Sequence, residues 1–264
     1  MTNKGTSDNT LYRIAMVGAC PYPVPQGSQV YLRDTALGLR ARGHDVRLVV
    51  YYHGIGDDTS GLSIHRSARI PGARRTAAGP SPMKPLLDLA LVAALRRVVR
   101  EQRIEVVHAH NYEALVVALA ARKRPIVYHA HNAMADELPH FFGPRAVAAR
   151  FGAWLDRAFP HLADHVIVPH DALAAYLVGC GCRLKNVSVV RPPADAGLFE
   201  PCEIGDAVPP VLYAGNLDAY QNLCVYQHQQ HLDAFRLLHD AQLLQQLGNR
   251  QYQYRQRLFL SSEF

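Results

Sequence analysis

Short apolar runs alternate with stretches in which apolar residues recur every three to four positions, from near the amino terminus to about residue 215. The run from Tyr12 to Val17 predicts a buried strand. Ser28 to Arg42 carries Leu32, Ala36 and Leu39 on one helical face, and Gly43-His44 ends that helix before a strand from Asp45 to Tyr51. A weaker strand is expected at Leu62 to His65, then a loop rich in Gly and Pro over 71–85 and a helix from Pro85 to Gln102. The series continues with strand Ile104 to His108, helix Tyr112 to Arg122, strand Pro125 to His129 and a helix from Pro144 to His161. Strand His165 to Val168, helix Asp171 to Val178 and strand Val187 to Val190 complete it.

Repetition of strand and helix with near-continuous apolar strands predicts an α/β domain, a doubly wound parallel sheet covered on both faces. Ligands on such sheets sit beyond the carboxyl ends of the strands, so function is expected in the loops after Val17, His108, His129 and Val168. From Arg191 to Pro210 the chain turns to Pro, Ala, Asp and Gly, the composition of a linker. Val211 to Ala214 then reads as the first strand of a second domain. The expected organisation is a domain over 1–190, a linker over 191–210 and the start of another domain over 211–264.

Composition narrows the class. The 264 residues are 49% hydrophobic with 18 Gly and 17 Pro, which excludes a disordered, collagen-like or disulfide-stapled chain. The net charge of +6 is concentrated between Arg66 and Arg103, where nine basic side chains face two acidic ones. Such a patch suits nucleic acid, a membrane surface or an anionic substrate, or is a solvated face. Cys20, Cys180, Cys182, Cys202 and Cys224 form an odd set without metal-ligand spacing and read as free thiols in a reducing compartment. The polar first ten residues are followed by no apolar segment of signal-peptide type, and Leu86 to Val99 is too short and too charged to cross a bilayer. A cytoplasmic protein is expected, peripheral at the inner face of the membrane through residues 66–103. Glutamine marks a break, since ten of the 13 Gln lie at or after Gln221.

Three loops carry candidate chemistry. The first, Gly18 to Ser28, holds three prolines and places Gly27 where a helix begins, so that a phosphate or sugar hydroxyl can approach the amides at the helix's positive end. The alternative makes Gly27 a turn residue and Ser28 an N-cap. The second and third loops follow histidine pairs, Val106-Val107-His108-Ala109-His110 and Val127-Tyr128-His129-Ala130-His131. Residues two apart on a strand face one side, so each pair can present two imidazoles together, as metal ligands or as a donor or base at the sheet's lip. We read His108 and His129 as structural and His131 as functional. After His131 come Asn132, Asp136 and Glu137, whose amide and carboxylates suit sugar hydroxyls or, alternatively, cap a short helix.

These residues together resemble the amino-terminal half of a retaining glycosyltransferase of family 4, with the GT-B architecture. The resemblance rests on Gln26-Gly27-Ser28, Gly43-His44-Asp45-Val46, the two histidine pairs with Asn132, Ala163 to Val168, and Val187 to Pro193 with Leu198-Phe199. It implies a Rossmann-like acceptor-side domain, a nucleotide sugar as donor substrate, a sugar or lipid-linked acceptor, and no cofactor, metal or nucleic acid. Carried over by position, His131 would be the catalytic histidine near the reacting sugar and Gly27 the first-loop glycine, with Ser28 in the place of a second glycine. Gly215 would open the donor domain's first loop, where Asn216 and Gln221 replace the Arg and Lys that grip the diphosphate. The family's paired glutamates, eight residues apart, have no counterpart, because Glu263 is the only Glu after Glu203. The donor domain is therefore expected to be truncated and the chain inactive or incomplete. Two other readings are a metal-dependent hydrolase using His108, His110, His129 and His131, and a non-catalytic remnant or binding module.

Overall fold

The computed structural model describes residues 10–24, 26–58, 60–73 and 81–192. Gly215, Asn216, Gln221, Cys202, Cys224 and all but the first two residues of the expected linker lie outside the described residues.

Seven strands form one sheet: β1 (Arg13–Gly18), β2 (Asp45–Val50), β3 (Ser63–Arg66), β4 (Val106–His110), β5 (Ile126–His129), β6 (His165–Val168) and β7 (Val187–Val189). Every neighbouring pair is parallel, in the order β3-β2-β1-β4-β5-β6-β7. The helices are α1 (Gly27–Ala41), α2 (Lys84–Glu101), α3 (Tyr112–Ala121), α4 (Met134–Glu137), α5 (Arg145–Ala158) and α6 (Asp171–Gly179). The doubly wound, Rossmann-like sheet expected from the apolar pattern is thus what the chain forms. Strand order reverses direction at the boundary between β1 and β4, which puts a ligand crevice above their carboxyl ends.

The pleat sorts side chains between two cores. Ala15, Val17, Val107, Ala109 and Tyr128 pack with Leu91, Leu95, Val98 and Leu115 of α2 and α3. Ile14, Met16, Val46, Leu48 and Val50 pack instead with Leu32 and Ala36 of α1. Successive residues of one strand serve opposite layers, which is why the strands read as unbroken apolar runs.

Three differences from the expected elements have physical causes. Strand β4 runs to His110, two residues past the expected end, because His108 and His110 are ladder members and buried despite their polarity. Helix α5 stops at Ala158, and a 3₁₀ turn follows over Pro160–Leu162, since Pro160 has no amide to continue the α ladder. Helix α4 realises the short-helix alternative for the segment after His131, with Asp136 and Glu137 inside it. It exists because Asp156, far along α5, accepts from its first amides, Met134 N at 3.0 Å and Ala135 N at 3.0 Å.

Among the described residues of the basic segment 66–103, the cationic side chains are not all gathered in one place. Arg66 is drawn inward, donating to the carbonyls of Tyr22 and Tyr51, and Lys84 pairs with Glu113 at the start of α2. Arg96, Arg97 and Arg100 lie toward the other end of that 18-residue helix, which is about 27 Å long, and Arg103 follows it. Cys20, Cys180 and Cys182 are unpaired thiols. Among the described residues, no helix is long and apolar enough to cross a membrane.

Helix α4 rests on α5 so closely that a methyl group on Gly152 would stand 2.2 Å from the carbonyl oxygen of Met134. Gly152→Ala is therefore expected to destabilise the protein by about 1–3 kcal/mol through overpacking, against its gain in helix propensity. Gly38→Ala on α1, where nothing lies within 4 Å, is expected to stabilise by about 0.5–1 kcal/mol. Urea unfolding of both variants checks the pair, and an equal response to the two would refute the close packing.

Candidate active site

Parallel register builds the first part of the site. Gly18 of β1, His110 of β4 and His129 of β5 stand side by side across three strands. The side chains of His110 and His129, with that of His108 two residues earlier, point to the α1 layer by the strand period. His108, His110 and His129 are all buried, at 6%, 1% and 2% exposure. Their rings pack together, with centroids 4.7 Å apart for His108 and His110, 5.4 Å for His108 and His129, and 4.5 Å for His110 and His129.

His131 lies half-buried over this cluster, its Nε2 3.2 Å from Nδ1 of His110. Tyr31, one turn into α1, stacks on His131 with centroids 5.3 Å apart and shares a 2.8 Å hydrogen bond between its hydroxyl and His129 Nε2. Burial favours the uncharged form of all four imidazoles. It lowers His108 and His131 to about 4, takes His129 to about 2 and puts His110 well below its ordinary value. The neighbouring imidazoles deepen the effect for His110 and His129. At neutral pH, His131 is a neutral donor and acceptor at the lip of the sheet, without positive charge.

A second group, of carboxylates and an amine, borders it. Lys84 pairs with Glu113, the second residue of α3. Burial acts to lower the Lys84 amine, but Glu113 outweighs it and the net shift is upward. Burial raises Glu137, and Glu113 adds to this, while Lys84 and a hydrogen bond from Asn132 work in the opposite direction. Asp88 accepts from the Tyr51 hydroxyl at 2.5 Å. Burial raises its carboxyl to about 6, with Tyr51 and Lys84 lowering it and Glu113 raising it.

Two loops are tied in place around these groups. The first is held through Tyr22 N to the His53 carbonyl at 3.0 Å, Ile55 N to the Pro23 carbonyl at 2.7 Å and Arg66 to the Tyr22 carbonyl at 2.8 Å. The loop after β5 is held by Asp156, which also accepts from the Tyr176 hydroxyl at 3.0 Å. At the β4–α3 turn, Asn111 takes φ 73°, tolerated by its short polar side chain, and caps α3 by accepting from Ala114 N at 3.0 Å.

Of the residues singled out in the sequence, His131, Asn132 and Glu137 lie in the one segment after β5, where the Asn132 side chain works to lower the Glu137 carboxyl. Asp136, next to Glu137, is exposed. Gly27 and Ser28 are exposed in the first turn of α1, so Ser28 lies inside the helix and is not its N-cap. Gly27 has no positive φ, and a methyl there would meet nothing within 4 Å among the described residues. The sequence reading missed Tyr31, Glu113, Gly152 and Asp156. Two carried a signal: Asp156 is the sole acid of α5, and Gly152 interrupts that helix's interior.

Residues 25–198, about two thirds of the chain, match the model of Glycosyltransferase Family 4. The chain belongs to glycosyltransferase family 4. No curated protein matches it. Among solved structures, this family 4 chain is similar to sucrose-phosphate synthase from Thermosynechococcus elongatus, with a TM-score of 0.58, 17% identity, and coverage of 72% of this chain and 50% of that one. It is also similar to Anabaena HepE in complex with UDP-glucose, with a TM-score of 0.48, 20% identity, and coverage of 72% and 46%. A glycosyltransferase from Rickettsia africae gives a TM-score of 0.42 at 11% identity, covering 83% of this chain and 49% of that one. The family 4 chain spans about half the length of the solved structures it matches.

Asp88 supplies a test of the electrostatics of this family 4 domain. Its folded value of about 6 lies above the ordinary carboxylate value, so the native state holds the proton more tightly than the unfolded one. Stability is then fully present below pH 4 and falls as pH rises from about 4 to 6, by up to about 1.4 kcal/mol per pH unit. Asp88→Asn keeps an acceptor for Tyr51 and removes this slope. Its Tm relative to the parent is expected to rise between pH 4.5 and 6.5, and a difference independent of pH would contradict the assignment.

Proposed function

We propose that this domain forms the acceptor side of a retaining glycosyltransferase, in which a sugar passes from a nucleotide-sugar donor to an acceptor hydroxyl. The carrying observation is the family 4 match over residues 25–198. The polar groups gathered above the carboxyl ends of β4 and β5 support it. His131, neutral and at the lip of the sheet, hydrogen-bonds a hydroxyl of the transferred sugar. Asn132 and Glu137 orient the acceptor, and Lys84 with Glu113 fixes the charge balance beneath them. The amino terminus of α1, with Gly27 and Ser28, offers amides to a phosphate of the donor. Gly215, Asn216 and Gln221 belong to the donor side in this reading. The bond from the anomeric carbon to the diphosphate breaks as the acceptor oxygen bonds to the same face, and the acceptor proton leaves with the diphosphate oxygen. Helix amides and basic side chains stabilise that leaving group, so no metal or cofactor takes part in the chemistry.

Incubating the chain with a panel of nucleotide sugars and simple glycoside acceptors is expected to give little or no release of nucleoside diphosphate, since the family's paired glutamates have no counterpart after Glu203. Titration with the glycosides alone is expected to show binding to the chain, and replacing Asn132 by Ala together with Glu137 by Gln is expected to weaken it at least tenfold with a melting temperature close to the parent's. Binding of no glycoside, or undiminished binding in that variant, would count against the proposal.

Within the same reading, the protein is cytoplasmic, in keeping with its unpaired thiols, and meets an anionic membrane that carries a lipid-linked acceptor. Contact is assigned to the exposed arginines Arg97, Arg100 and Arg103 at one end of the 66–103 segment, each contributing roughly 1 kcal/mol near an anionic surface. Flotation with vesicles is expected to recover the protein on anionic lipid and not on neutral lipid. Replacing the three arginines by Gln should abolish recovery, and equal flotation on neutral vesicles would refute the contact.

A further inference from the structure

We propose that His108, His110 and His129 form a binding site for one divalent transition-metal ion of the zinc class, set in the sheet beneath His131. Each residue offers one ring nitrogen, and the three atoms lie within 4.8 Å of one another. All three side chains are more than nine-tenths buried.

Unpaired nitrogen atoms set this cluster apart from a set of ordinary core histidines. His108 Nε2, His110 Nε2 and His129 Nδ1 are buried with no hydrogen-bond partner among the described residues. Leaving one such atom unsatisfied costs roughly 1–3 kcal/mol, so three gathered in one place are a concentrated penalty. The opposite nitrogens of two of these rings are engaged. His110 Nδ1 faces His131 Nε2 at 3.2 Å, and His129 Nε2 shares a hydrogen bond with the Tyr31 hydroxyl at 2.8 Å. This is the outer arrangement that orients a ligating imidazole, in which one nitrogen is held by a neighbour while the other is directed inward.

The donor set selects the ion. Three imidazoles without a carboxylate or thiolate suit zinc, cobalt, nickel or copper and offer nothing to magnesium or calcium, which require oxygen ligands. Zinc–nitrogen bonds of about 2.0–2.1 Å require the three nitrogens to approach within roughly 3.4 Å of one another, a contraction that ring rotation supplies. The strands themselves need not move, because neighbouring residues in register fix the Cα positions. An ion here would tie β4 to β5 and fix His110, and through it the ring of His131. It would lie under the reacting edge and take no part in bond breaking, so the proposal stands or falls independently of the transferase reading.

The test uses the full chain, stripped with a chelator and then titrated with zinc or cobalt alone. One equivalent is expected to bind, with a rise in Tm and, for cobalt, the visible absorption of a four- or five-coordinate ion. X-ray absorption on the zinc-loaded protein is expected to count three imidazole nitrogens. His110→Asn and His129→Asn should each weaken binding at least tenfold, whereas His161→Asn on the exposed surface should leave it unchanged. The absence of any Tm shift or retained metal in the parent protein would overturn the proposal, as would sulfur ligands in the absorption spectrum. Undiminished affinity in folded His110 and His129 variants would place the ion elsewhere and overturn it equally. The spectroscopic arms use the parent protein, so they decide the matter even where a variant fails to fold.

Discussion

The register of three parallel strands is the constraint on which the rest of this domain depends. Gly18, His110 and His129 stand in one row, and the alternation of the pleat sends that row toward α1 while the residues between go to α2 and α3. The same backbone geometry therefore builds an apolar core on each face and gathers polar rings at the carboxyl edge of the α1 face. Nothing else in the domain would bring imidazoles from two separate strands together, since β4 and β5 are joined only through α3. Placing them at the reversal of strand order adds open space above them, because the connections there leave in opposite directions.

A cluster assembled in this way needs a cover, and the chain supplies it from two directions. Tyr31 reaches in from the first turns of α1, and His131 returns from beyond the end of β5. Both carry a polar atom into a region where the histidines are otherwise enclosed by aromatic and apolar surface. The carboxylate group nearby follows a different rule. Lys84, Glu113, Asp88 and Glu137 come from three helices, and their charges are compensated collectively. Burial, together with one ammonium shared among several carboxylates, leaves Asp88 and Glu137 harder to ionise.

The fold was largely legible in the sequence because parallel strands buried on both faces write themselves as apolar runs, and the helices between them as three-to-four-residue repeats. Only the ends slipped. His108 and His110 looked like the exit from a strand, yet they continue the ladder, since the strand ends where pairing ends and not where polarity begins. The site was legible where its residues are local, as with His131, Asn132 and Glu137. It was hidden where the partner is distant. Asp156 follows the loop it holds by some twenty residues, and Tyr31 precedes His129 by 98. A lone acid in α5 and a glycine within the same helix were the visible traces of that contact, and each reads as ordinary until the facing backbone is known. The charge pattern along the chain did not show how its members are used, since Lys84 at the start of α2 is paired with Glu113 while Arg96, Arg97 and Arg100 lie toward the other end of that helix.

Asp156 has one more consequence. It fastens the segment that follows β5 through two main-chain amides and also accepts from the Tyr176 phenol of α6, so that all three bonds end on a single carboxylate. The segment thus has a hinge on the sheet at one side and a latch on a surface helix at the other. Its release would be all or none, leaving the strands paired while Asn132 and Glu137 lose their fixed orientation together. The order of the loop after β5 is in this sense a property of α5, a helix that meets it only from the side.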